Sequence, residues 1–203
     1  MKKLIVLTLF FAVLCVNAQA QSLRTLFVEM PDTLLPLLTT NDRKDLIDFW
    51  DARMKNSVTN RLDGKSRLTV LSDDYLSIIL SRSSSMQIKM LSCEGGDTLL
   101  CVVNSVNAEA CDSRIHFYNN RWQRVDGNLF AMPEIADFFV QSDSVADLIR
   151  MSDIYLVSLN LSSKSDTLRA DYTMPQYMTR ADSSRVAAQL RTLYYRWTGK
   201  RFE

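Results

Sequence analysis

His116 is the only histidine in the 203-residue chain, so acid–base chemistry near neutral pH would fall to it first. It lies in Arg114-Ile115-His116-Phe117-Tyr118. Strand alternation there puts Ile115 and Phe117 on the core face and His116 on the other, with Arg114 and Tyr118. Catalysis would require a nucleophile or an orienting carboxylate beside it in space, and its sequence neighbours supply neither. The residues fit a surface or hydrogen-bonded strand histidine. Asp73-Asp74 is the second candidate, as metal ligands or as an acid pair of the kind glycosidases use. Adjacent carboxylates in the polar break Ser72-Asp73-Asp74 read instead as solvated turn residues, and no EF-hand spacing surrounds them. Cys93, Cys101 and Cys111 contain no C-x-x-C, and a lone histidine does not complete a zinc site. There is no G-x-S-x-G elbow, P-loop or dinucleotide fingerprint, and Gly95-Gly96 reads as a turn, not a phosphate cradle. No catalytic, cofactor-binding or metal-binding residue is therefore assigned, and no cofactor is expected.

The first 20 residues carry a different signal. Met1-Lys2-Lys3 is a positive start, Leu4 to Val16 is an apolar run broken only by Thr8, and Ala18-Gln19-Ala20 is an A-x-A cleavage site. A secretory signal peptide over 1–20 is expected, with the mature chain beginning near Gln21. The run is too short to span a bilayer, which needs about 20 residues. Cys15 follows Leu14 rather than a small residue, which argues against a lipoprotein. Cleavage removes Cys15 and two lysines, so Lys+Arg falls from 24 to 22 against 23 Asp+Glu, and the formal charge from +1 to about −1. No basic stripe remains, which excludes nucleic acid as a partner. Three cysteines remain, an odd number. They read as small core residues, and a Cys101–Cys111 bridge stays open in an oxidising compartment, whereas a tight turn would stagger Cys93 from Cys101.

These residues have to be positioned by a chain with few glycines and prolines and no evident linker. Residues 22–40 hold short apolar runs split by Pro31 and Pro36. Leu46, Phe49, Trp50 and Met54 recur at helical spacing, predicting a helix over about 42–55, with Thr40-Asn41-Asp42 as its cap. From Ser57 to Val125 short apolar runs alternate with turn signals. Asp63-Gly64 and Glu94-Gly95-Gly96-Asp97 are the clearest, and Arg114–Tyr118 and Trp122–Val125 flank Asn119-Asn120. Turns this short imply an antiparallel meander. Helical pieces are expected through Ile135, Phe138 and Phe139, and through Val145, Leu148 and Ile149 with Ser142 or Ser144 as cap. A hairpin of Ile154–Leu161 with Thr167–Tyr172 follows. A last helix is expected from Asp182 or Ser183 through Trp197, closed by Gly199. The fold class is α+β: an antiparallel β-meander packed against helices on one face, with the other face in water. A single domain over 21–203 is expected, with 128–150 as the place where two subdomains would meet.

The segment Cys101-Val102-Val103-Asn104 followed by Cys111-Asp112-Ser113-Arg114-Ile115-His116-Phe117-Tyr118-Asn119-Asn120-Arg121-Trp122 is the most distinctive in the chain. With the leader ending Ala18-Gln19-Ala20-Gln21 and a helix containing Phe49-Trp50, it resembles a family of uncharacterised secreted proteins of Bacteroidales that carries a domain-of-unknown-function label. The resemblance covers the whole mature chain and implies no catalytic residues. The meander is also distantly similar to the helix-plus-sheet modules of periplasmic inhibitor-type proteins, a likeness of fold alone. Tyr118, Trp122, Tyr155, Tyr172, Tyr177, Tyr194, Tyr195 and Trp197 are amphipathic aromatics that would form a binding surface if they shared a face. The expectation is a non-enzymatic periplasmic or extracellular protein with another envelope protein as partner. It has no membrane span, and its oligomeric state is open. The rival readings are an envelope hydrolase with an unmarked site and a binder of an apolar small molecule held between sheet and helix.

Overall fold

The chain enters its fold through a helix that its short apolar runs did not mark. In the computed structural model, which describes residues 21–140, 145–151 and 154–203, α1 (Leu23–Glu29) starts where the Ser22 hydroxyl accepts from the Thr25 amide. Seven residues are too few for a helix to stand alone, and burial of Leu23, Leu26 and Phe27 holds it. α2 (Thr40–Asp51) is the helix expected at 42–55, shifted toward its N-terminus. Its cap is Thr39, whose hydroxyl accepts from the Asp42 amide (3.1 Å) while the Asp42 carboxylate accepts from the Thr39 amide (2.7 Å). Arg53, at φ 54°, lies past its end, so Met54 is exposed rather than on the apolar stripe. The signal peptide expected at 1–20 and the caps expected at Ser142 or Ser144 lie outside the described residues.

Six strands follow: β1 (Ser57–Thr59), β2 (Lys65–Leu71), β3 (Tyr75–Ile79), β4 (Ser84–Ser92), β5 (Thr98–Asn107) and β6 (Cys111–Tyr118). They form the expected meander, antiparallel in the order β1 to β6. Gly95 and Gly96, at φ +99° and +92°, make the β4–β5 turn in a region where a side chain would be strained. The strand expected at Trp122–Val125 shrinks to one bridge, Tyr118 to Arg124. Trp122 adopts φ 59° and folds its ring into the core, where the indole N–H donates to the Leu26 carbonyl at 2.9 Å.

A second sheet contains β7 (Val157–Leu161), β8 (Thr167–Tyr172) and β9 (Leu193–Arg196). A 3-10 turn at Ile135–Phe138 and α3 (Val145–Met151) precede it, and a 3-10 turn at Met174–Tyr177 and α4 (Arg180–Ala187) lie between β8 and β9. The last helix therefore ends at Ala187 instead of running through Trp197. Beyond it, Thr192-Leu193-Tyr194-Tyr195 favours extended backbone, pairs with β8, and brings Tyr195 and Trp197 onto the second core.

That sheet overturns the expectation that the far face of the meander meets water. Along β5, Leu100 and Val102 join the helix-side core, while Leu99, Cys101 and Val103 join a second core with Leu159, Leu168 and Tyr172. The fold is α+β in three layers: helices, an open six-stranded sheet and a three-stranded sheet. β7 lies against β4, β5 and β6. Its outer-edge amides are satisfied by side chains of the larger sheet: Val157 donates to Asp112 (3.4 Å), Leu159 to Ser113 Oγ (3.1 Å) and Leu161 to Gln87 Oε1 (2.8 Å). Among the described residues, no helix is long and apolar enough to cross a membrane.

Candidate functional site

The small sheet covers only half of the larger one. Register places Arg67 beside Ile79 and Ser85, and Val70 beside Ser77 and Gln87, on the same face as Cys101. On β2 this face is open: Lys65, Arg67 and Val70 are exposed. Where the β1–β2 and β3–β4 turns approach each other, a groove of about 810 Å3 forms, with Leu37, Leu62 and Ile79 as apolar walls and Lys65, Arg67 and Arg82 as charges.

Buried Asn60 fixes this groove. Its side-chain oxygen accepts from the Leu62 and Gly64 amides (3.1 and 3.0 Å), and its Nδ2 donates to Ser66 Oγ and the Leu80 carbonyl (3.1 and 2.8 Å). Gly64 packs closely beside it: a Cβ there would stand 3.2 Å from Asn60 Nδ2, a tight contact. The turn so fixed holds Leu62 out in solvent, 78% exposed. The opposite wall is set by the Ser81–Ser84 hydroxyl contact at 2.7 Å and by the Leu80 amide donating to the Ser84 carbonyl. Lys65 Nζ donates to Thr59 Oγ1 at 2.5 Å. Among the described residues, Lys65, Arg67 and Arg82 make no ion pair, and Asp63 is the groove's one lining carboxylate. The arrangement can attract an anion and seat an apolar group.

The residues that the sequence raised for chemistry are dispersed. His116 pairs with Val102 on the helix-side face, half-buried. Burial and the charges of Arg124 and Arg114 hold its pKa below the ordinary histidine value. Asp73 and Asp74 turn to opposite faces of the sheet: Asp73 lies 4.0 Å from Arg24 of α1, and Asp74 accepts from Lys89 at 2.7 Å toward the small sheet. They do not form an acid pair. Burial pushes the Asp74 pKa up, but hydrogen bonds from Lys89 and Ser72 outweigh it and leave the carboxyl below its usual value. Lys89 also lies 3.6 Å from Asp166, between β7 and β8, so it ties the two sheets together.

All three described cysteines are free. Cys101 pairs across the sheet with Phe117 and Cys111 with Asn107, which separates the two by about 20 Å at strand rise and closes the bridge left open by sequence. Complete burial raises the Cys101 thiol pKa far above its ordinary value. The aromatics do not share a face. Tyr118 and Trp122 pack in the helix-side core with ring centroids 5.7 Å apart, and Tyr172 and Trp197 pack in the second core. Tyr155 donates to the Pro133 carbonyl, and burial, with Tyr195 and Asp112 nearby, pushes its pKa up to about 12. Tyr177 and Tyr194 stand exposed. The groove residues Leu62, Lys65, Arg67 and Arg82 carried no motif. The available signal was two cations at alternate positions of one strand, next to an Asp-Gly turn.

Fold and groove together define a three-layer α+β protein with one face of its main sheet half open. The chain belongs to the family described as "Protein of unknown function (DUF3256)", which matches residues 15–202. It is similar to a domain of an uncharacterized protein from Porphyromonas gingivalis W83, a member of the Bacteroidales. The two are 26% identical, with a TM-score of 0.78, over 91% of this chain and 98% of that one. No curated protein matches.

Proposed function

We propose that this is an exported, non-enzymatic protein of the cell envelope, periplasmic or extracellular, released as residues 21–203 without lipid, and that it binds another protein. One observation carries the reading: a leucine 78% exposed, on a turn whose backbone Asn60 holds, at the mouth of a groove whose cations make no ion pair among the described residues. An exposed apolar side chain on a backbone turn that is already ordered spares the cost of ordering that backbone on binding, which suits an interface anchor. The composition of the leader supports export.

The test places a photo-crosslinking residue at Leu62 in the expressed full chain, with exposed Val106 as the control position. A discrete adduct of reproducible mass from Leu62, absent from Val106, is expected in the envelope fraction. Equal labelling from both positions, or none from Leu62, would end the reading. Recovery of the protein in the cytoplasm with an intact N-terminus would end the export part.

A further inference from the structure

We infer that the groove takes an extended acidic segment of the partner protein, one that alternates carboxylates with apolar side chains. The inference rests on the protein-binding reading above. Lys65, Arg67 and Arg82 converge on the groove without ion pairs among the described residues, against the single lining carboxylate of Asp63. The matching ligand is therefore anionic, and Leu37, Leu62 and Ile79 require an apolar component beside the charge.

One feature favours a peptide over an anionic lipid. Lys65 and Arg67 occupy alternate positions of β2, about 7 Å apart at strand rise. Alternate side chains of an extended peptide project to one face at the same interval, so two carboxylates at i and i+2 meet both cations together.

The probes are a labelled peptide alternating Glu and Val, its Lys–Val counterpart, and phosphatidylglycerol vesicles. Binding to the full chain is read by fluorescence anisotropy and co-sedimentation. The Glu–Val peptide is expected to bind. It should weaken by about tenfold or more in K65E/R67E/R82E, and similarly as salt rises from about 0.05 to 0.5 M. Should the triple variant fail to fold by circular dichroism, R67Q/R82Q replaces it, with a smaller loss in the same direction. Equal binding of the Lys–Val peptide, indifference to the substitutions, no binding of the Glu–Val peptide, or a preference for vesicles would each overturn the inference. The Leu62 crosslink separates the two levels. An adduct that persists at full yield in the charge-reversed chain keeps the protein-binding reading and discards the acidic segment, while a wild-type chain without an adduct discards both.

Discussion

Lys89 is less exposed than the carboxylates that pair with it: its side chain is 2% exposed, those of Asp74 and Asp166 51% and 47%. Removing the acids and removing the base are therefore unequal perturbations. D74N/D166N leaves an ammonium between two sheets without a counter-charge, and breaking a buried pair in this way costs about 3–5 kcal/mol. Water reaching the half-exposed sites offsets part of this, so a loss of about 2–4 kcal/mol is expected. K89M keeps the apolar stem between the sheets and leaves two carboxylates that water can solvate, so it should stay within about 1 kcal/mol of wild type. At about 2–4 °C per kcal/mol for a chain of this size, thermal denaturation at pH 7 should show the double variant lower by roughly 4–16 °C and K89M by only a few degrees. The Asp74 carboxyl is depressed in the folded state, so its contribution is complete above the ordinary value of 3.8 and is lost as pH falls through the folded value. The gap between wild type and D74N should therefore close in acid. Should K89M prove as damaging as D74N/D166N at pH 7, the reasoning from burial asymmetry is wrong.

Three other outcomes follow from the same structure. S113A and Q87L each strip an acceptor from an amide of β7, at Leu159 and Leu161, and should cost about 1–3 kcal/mol, with faster hydrogen exchange at those amides. A thiol reagent under native conditions should modify half-exposed Cys93 and Cys111 and spare Cys101, which reacts only in denaturant; native labelling of Cys101 would contradict its burial. W122F fills most of the same space but leaves the Leu26 carbonyl without its indole donor, so urea denaturation should show a loss of about 1–3 kcal/mol.

The meander was legible because its turns are local chemistry. Asp63-Gly64 and Glu94-Gly95-Gly96-Asp97 specify their own backbone, and the strands between them follow. Leu23–Glu29 was missed because seven residues carry little helical signal of their own, and their burial depends on partners as distant as Trp122. The last helix was over-extended because Val186, Leu190, Leu193 and Trp197 keep helical spacing, while pairing with β8 decides against it. Leu99 to Val103 of β5 is apolar throughout, which suits a strand covered on both faces, but the run does not say which later segment supplies the second layer. The groove was hidden because Arg82 reaches Lys65 and Arg67 only through the topology, and an unpaired cation looks in sequence like any other. Asp73-Asp74 shows the converse: neighbours in the chain whose side chains serve opposite layers.

The capping of β7 by Asp112, Ser113 and Gln87 also makes its outer edge dependent on the larger sheet. The groups that satisfy its edge belong to β4 and β6, which precede it in the chain and pair with β5. Separated from that sheet, residues 157–203 would present three bare amides along an apolar strand, an invitation to aggregation through edge pairing. The two sheets are joined by hydrogen bonds as well as by packing, so a change in the first is expected to be felt in the second at the amides of β7.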